Sequence, residues 1–237
     1  MSHRYFEFYS QVNDLSADGR RSHWPYLDRV LGPRLPPAAT KPRILDIGCG
    51  AGIVLEWLRH RGYALARGID SDAGQVEFAA GLGLDVARVD DVASWLAGQP
   101  AADFVILKDV LEHVAAEQVE NLLVAVRDHL APRGNLYLAV PNASSSFAAR
   151  WRYIDATHRR SYTEHSLRWQ LGSAGLRITE LSGDDVWAVG SPLGHAQQLL
   201  RRCFRLWRRL EALAEFGAEG LKMPLSLNLV AMVERDE

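Results

Sequence analysis

The stretch that most constrains this chain is ILDIGCGAG, residues 44–52. An apolar run ends in glycines at 48, 50 and 52, and a helical pattern, IVLEWLRHRG, follows at once. Glycines in a strand-to-helix turn let the backbone bend sharply and approach a ligand without side-chain collision. A phosphate-binding P-loop is excluded, because no Gly-Lys-Ser/Thr follows. The two-residue gap of the dinucleotide fingerprint GxGxxG is also missing. Asp46 stands two residues before the first glycine. Its carboxylate would repel a pyrophosphate but can serve an ammonium group, partly through water.

Around this loop, strand and helix patterns alternate. Apolar runs RILDIG (43–48), ALARGID (64–70), DVARVD (85–90), DFVILKD (103–109) and NLYLAVPN (135–142) read as strands. Between the last two, residues 117–134 read as an amphipathic helix with the stripe Val119, Leu122, Leu123, Val126 and Leu130, stopped by the glycine after Pro132. KDVLEHV (108–114) reads as a helix opening, where acids in the first turn are favoured by the dipole. TEHSLRWQLGSAG forms a helix with Thr163 as N-cap and Gly175 as stop. LRITELSGD is a sixth strand, and LSLNLVAMVERD reads as a closing edge strand. Fully apolar strands alternating with helices imply a parallel sheet covered on both faces. Ligands then bind at the carboxyl ends of the strands, near the point where strand order reverses.

Three segments follow from this reading. Residues 1–42 form an N-terminal helical arm, with Trp24, Leu27, Val30 and Leu31 at helical spacing, and a linker carrying four prolines. Residues 43–142 form the cofactor-binding core. Residues 143–237 hold substrate-side insertions and the closing strands of the same domain. A chain of 237 residues suffices for one such domain. The net charge of −2 gives no reason to expect nucleic acid. Two cysteines, Cys49 and Cys203, exclude a disulfide framework. No apolar run reaches the roughly 20 residues of a membrane span, and the N-terminus lacks a basic start followed by an apolar run. A cytoplasmic protein is expected.

Acids recur where the strands stop. A carboxylate at Asp70 can accept hydrogen bonds from both ribose hydroxyls of an adenosine. Asp91 can receive an adenine amine while the Val92 N–H meets a ring nitrogen, with Asp90 as the alternative register. Each acid alone serves equally well as a helix cap. Together, ILDIGCGAG, GID, VDDV, FVILKDVLEHV and APRGNLYLAVPN resemble the successive motifs of class I S-adenosylmethionine-dependent methyltransferases. The resemblance implies an α/β, Rossmann-like, doubly wound seven-stranded sheet with helices on both faces and the last strand antiparallel. It implies S-adenosylmethionine as cofactor, S-adenosylhomocysteine as product, and cofactor contacts from Asp46, Gly48, Gly50, Asp70 and Asp91. Cys49, Gly52, Ser71, Val92, Lys108 and Asp109 complete the expected cofactor set.

KDVLEHV ends the fourth strand, beside the expected sulfonium. His113 is there a candidate base for an acceptor hydroxyl. Asp109, Glu112 and His113 also resemble the E-x-x-E-H metal triplet of ubiquinone-pathway and small-RNA O-methyltransferases, with His158 as a fourth ligand. Asp109 departs from that pattern, so a divalent metal is a possibility rather than the expectation. Residues 152–166 resemble acceptor loops of methyltransferases among polysaccharide enzymes, and Tyr153, Arg159, Arg160 and Tyr162 are the candidate acceptor contacts. The implied reaction is O-methylation of a polar small molecule or a glycan or lipid-linked intermediate. N-methylation, or a non-catalytic cofactor-binding protein, are the alternatives. Residues 196–217 form a basic amphipathic helix. It can rest on an anionic membrane or a phosphorylated acceptor, but the expectation is a cover helix packed on the domain with a solvated arginine face.

Overall fold

The computed structural model describes residues 2–184 and 192–236. Three short helices open the chain, α1 (Ser2–Val12), α2 (Ala17–Ser22) and α3 (Trp24–Val30). The alternating section comprises β1 (Ile44–Ile47), α4 (Ile53–His60), β2 (Ala66–Asp70), α5 (Ala73–Gly81), β3 (Val86–Arg88) and α6 (Val92–Leu96). It continues with β4 (Ala102–Lys108), α7 (Ala116–His129) and β5 (Leu130–Pro141). Then come α8 (Ala148–Tyr153), α9 (Glu164–Ser173), β6 (Leu176–Gly183), α10 (Pro192–Phe216) and β7 (Asn228–Arg235).

Among the described residues the strands form one seven-stranded sheet, ordered β3-β2-β1-β4-β5-β7-β6. β1 to β5 pair in parallel, and β7 runs antiparallel to both β5 and β6. Side chains alternate between two buried layers, as the period of a strand requires. Ile44, Phe104, Ile106 and Tyr137 pack with Leu27, Val30, Trp57 and Leu58 of α3 and α4 on one face. Leu45, Ile47, Val105 and Leu107 pack with Val119, Leu123, Val126, Leu167 and Leu171 of α7 and α9 on the other. α3 is therefore part of one covering layer, and the Arg20–Glu56 pair at 2.7 Å fastens the arm to α4.

Several local expectations are corrected. The closing segment is not an edge strand: β7 lies between β5 and β6, and six consecutive residues from Asn228 are buried. β6, half-exposed, takes the edge. KDVLEHV does not open a helix. Asp109 is left-handed (φ 57°), its N–H extends the sheet by donating to the Ala139 carbonyl at 3.0 Å, and residues 111–114 turn before α7 begins at Ala116. α7 ends at His129 rather than Gly134, because Leu130 already pairs with Ala102 in the sheet.

The long helix α10 also departs from expectation. Among its described residues Ala212 is the buried one, and Arg209 donates to the Gly220 and Met223 carbonyls at 3.0 and 2.7 Å. Leu199, Leu206, Trp207 and Leu210 are instead 52–67% exposed. Around Arg209 and Ala212 the helix rests on the turn that follows it, while the apolar stripe faces outward, the reverse of a cover helix.

Candidate active site

Strand order reverses between β1 and β4, so the crevice opens beyond Ile47 and Lys108. The loop after β1 is shaped by its glycines. The Gly48 and Cys49 N–H groups both donate to the Ile69 carbonyl, at 2.8 and 3.0 Å, which folds the loop back over β2. Gly48 and Gly50 have φ of 74° and 53°, the left-handed region that suits glycine. A Cβ on Gly48 would stand 2.5 Å from Val110 Cγ2, and one on Gly50 2.7 Å from Gln75 Oε1. The Gly50 N–H donates to Asp70 at 2.9 Å, and Asp72 N–H to the other Asp70 oxygen at 2.8 Å.

Asp46 is almost wholly buried and its Oδ2 has no partner. Burial pushes its carboxyl up to about 8, against the opposing pull of Lys108. Gln75 Oε1 beside the loop is likewise buried and unpartnered. Two orphaned acceptors at a glycine cradle fit a ligand bearing a cation and N–H groups. Lys108 is bonded to Asp109, whose charge holds the ammonium up despite its burial. Cys49 is buried and burial raises its thiol pKa, so it is inert. Asp91 caps α6, accepting from the Ser94 N–H at 3.1 Å and hydroxyl at 2.6 Å, while Asp90 pairs with Arg88. Ser71 receives Arg88 Nε on its carbonyl at 3.3 Å.

Beyond β4 a second group assembles. His113 Nδ1 lies 2.8 Å from Thr157 Oγ1, and that hydroxyl donates to Asp155 Oδ1 at 2.6 Å. A hydroxyl that gives its proton to a carboxylate must accept from its other neighbour. His113 therefore carries its proton on Nδ1 and leaves Nε2 as a lone pair. Burial, with His158 beside it, lowers the His113 pKa, so the ring is neutral at pH 7. His158 stacks edge-on at 4.7 Å between centroids, its Nδ1 on the Trp151 carbonyl at 3.1 Å. Glu112 is 1% exposed with an unpartnered Oε2, and burial and Asp109 raise its pKa well above the carboxylate range. One ligand atom from each of Glu112, His113 and His158 lies within 4.8 Å of the others. Asp109 stays outside that trio, turned to Lys108.

Among the expected acceptor contacts, Tyr153 and Arg159 are exposed and Arg160 half-buried. Tyr162 is not a surface contact: it is 3% exposed in the core, with its hydroxyl toward the Leu111 carbonyl at 3.4 Å. The structure adds residues that sequence reasoning missed. Tyr5 of α1 donates to Asp155 Oδ2 at 2.9 Å, across 150 residues of chain. Phe6 packs on Phe78 and against Gly74 at the start of α5. Tyr9 is close enough to Lys108, Asp109 and Asp70 to feel their charges. α1 thus crosses the mouth of the crevice. Asp155 and Thr157 sit in the 152–166 stretch already singled out, but nothing in the sequence ties Tyr5 to it.

A sheet of this order, a glycine turn after its first strand and a buried acid beneath that turn define a class I S-adenosylmethionine-dependent methyltransferase. A methyltransferase domain model matches residues 17–181, and the chain belongs to that family. It is 29% identical over 161 residues to a ubiquinone biosynthesis O-methyltransferase of Azorhizobium caulinodans, covering 60% of this chain and 61% of that one. The corresponding protein of Chelativorans sp. is 28% identical over 170 residues, covering 62% and 65%. The chain thus spans less than two thirds of the length of these curated relatives. An S-adenosylmethionine-dependent methyltransferase structure from Archaeoglobus fulgidus superposes with a TM-score of 0.67 at 21% identity, covering 98% of this chain and 99% of that one.

Proposed function

We propose that this protein transfers a methyl group to a hydroxyl oxygen of a polar small molecule, or of a glycan or lipid-linked intermediate. The observation that carries this reading is the hydrogen-bond chain His113–Thr157–Asp155, which fixes a neutral imidazole with one nitrogen free. A hydroxyl acceptor must lose a proton as it is methylated, and that nitrogen can take it. Asp155 then stabilises the imidazolium through Thr157. A ring held in one tautomer and orientation also supplies part of the rate by positioning.

On the cofactor side, Asp46 would hold the ammonium of S-adenosylmethionine and Asp70 its ribose hydroxyls, with the Gly48–Gly52 loop beneath. Asp91 and Val92 would hold the adenine, though Asp91 already caps α6. The bound cofactor supplies an electrophilic methyl on a sulfonium. Glu112, His113 and His158 also fit a divalent cation, which would polarise the acceptor oxygen. Tyr153, Arg159 and Arg160 line the acceptor side of this reading.

Calorimetry with S-adenosylmethionine and transfer of its labelled methyl to a panel of phenols, polyols and sugars test the proposal. His113→Gln should lower turnover by about 10²–10⁴-fold and leave cofactor affinity unchanged. Transfer only to amines would overturn the hydroxyl assignment. Loss of turnover on chelation, restored by a divalent metal, would replace the base by the metal.

A further inference from the structure

We propose that Tyr5 of α1 is a positioning residue for methyl transfer, orienting the His113 imidazole through Asp155 and Thr157. This rests on the reading of His113 as the base, and it extends that hydrogen-bond chain to the other end of the sequence.

A residue that orients another must itself be anchored elsewhere. The loop after α8 meets His113 through the Thr157 hydroxyl at 2.8 Å. Several of its bonds are internal and shape the loop without placing it. Asp155 Oδ1 accepts from the Thr157 N–H at 2.7 Å and from its hydroxyl at 2.6 Å, and the His158 N–H donates to the Asp155 carbonyl at 3.2 Å. One end of the loop returns to α8, with His158 Nδ1 on the Trp151 carbonyl. The other end is tied by the Arg159 N–H to the Glu112 carbonyl at 2.6 Å. Glu112 belongs to the same turn as His113, so that tie gives no outside reference. Within 154–157, among the described residues, two hydrogen bonds reach beyond α8 and the loop. One goes to His113, the ring being oriented. The other comes from Tyr5 to Asp155 Oδ2 at 2.9 Å, and it supplies the outside anchor.

The order of donors carries this anchor to the ring. Burial and the Asp155 charge raise the Tyr5 pKa, so the phenol keeps its proton and donates to Oδ2. The Asp155 side chain is then fixed in direction, and Oδ1 stays where the Thr157 hydroxyl needs an acceptor. That hydroxyl can accept only from His113 Nδ1–H, which leaves Nε2 as the free lone pair.

α1 is seated to deliver the hydroxyl. Phe6, next to Tyr5, packs on Phe78 of α5 with centroids 5.9 Å apart. A Cβ on Gly74 would stand 2.8 Å from Phe6 Cβ, so a glycine in the first turn of α5 is what lets α1 lie this close. The contribution of Gly74 is space rather than backbone freedom. α1 thus transfers the position of α5 to the loop beside His113.

Nitrogen-15 NMR of the histidine-labelled full chain reads the ring itself. Wild-type His113 should show one protonated nitrogen, Nδ1, and one unprotonated nitrogen, Nε2. In Tyr5→Phe, which removes one hydroxyl, the two signals should draw together as the ring exchanges between tautomers. Its kcat should fall about tenfold, with the calorimetric affinity for S-adenosylmethionine unchanged. Gly74→Ala improves helix propensity but displaces Phe6, and should have the same effect on the ring. On a Thr157→Val background Tyr5→Phe should cost nothing more, because both act through one chain. Separated signals and wild-type kcat in Tyr5→Phe would overturn the proposal, and would leave the base reading standing where His113→Gln still abolishes turnover. Additive losses in the double variant would overturn it too, since Tyr5 would then act outside this chain. If His113→Gln keeps full turnover, the base reading fails, and the nitrogen signals alone decide whether Tyr5 orients the ring.

Discussion

Asp46 shows how one residue can be both a cost to the fold and a requirement of the site. A carboxyl buried without a partner is stable only when protonated, and burial holds its pKa up to about 8. The sign follows from linkage. Its pKa in the ligand-free fold lies above that of an unfolded carboxyl, so its share of stability is present at low pH and is lost as pH rises toward 8. A cationic ligand reverses the preference, because the ammonium requires the ionised form. Binding of S-adenosylmethionine at pH 7 should therefore release about one proton. Its affinity should fall roughly tenfold per unit as pH drops from 7 to 5, and Asp46→Asn should flatten that slope. Calorimetry in two buffers of different ionisation heat measures the proton directly, and an identical heat in both would sink the assignment. Much of this was legible, since a strand, an acid and three glycines within nine residues are local. The Asp155–Thr157–His113 chain was legible only in part. The pattern of its residues stood out, but their hydrogen bonds join segments 44 residues apart.

At the scale of elements, misreadings came from treating position in the chain as position in the sheet. β7 is the final strand, yet it fills the gap between β5 and β6. Its unbroken run of buried residues carried that information, because an edge strand rarely buries both faces. The contrast predicts different tolerance. Ala231→Asp on β7 places an unpaired charge at a site with no exposure and should cost more than about 4 kcal/mol. Thr179→Asp on β6 is exposed and gives up one hydrogen bond to the Met232 carbonyl, costing about 1 kcal/mol. Urea unfolding of the two variants measures the difference; equal losses would contradict the interior placement of β7. KDVLEHV failed for another reason. Its Val110, Leu111 and Val114 mimic helical spacing, but Asp109 takes a left-handed backbone that starts a turn. That turn leaves Glu112 buried and His113 beside Thr157, so the departure from regular structure is what assembles the site.

For the molecule as a whole, the alternating centre was readable and the two ends were not. The first five strands and their parallel pairing follow from local patterns, whereas their order is seen only in the structure. The N-terminal arm gave no sign of its destination, because its contacts lie far away in the chain. α2 and α3 fasten to α4 and to one face of the sheet, while α1 continues across the crevice to Asp155. The Tyr5–Asp155 hydrogen bond joins the helix over the cofactor crevice to the loop beside His113. A latch shared between two doorways imposes an itinerary on traffic through them. If the latch has to open for passage, the cofactor is expected to enter first and leave last, after the methylated product. Steady-state kinetics should therefore show an ordered sequence. S-adenosylhomocysteine should inhibit competitively against S-adenosylmethionine and noncompetitively against the acceptor, and Tyr5→Phe should relax that order toward random entry.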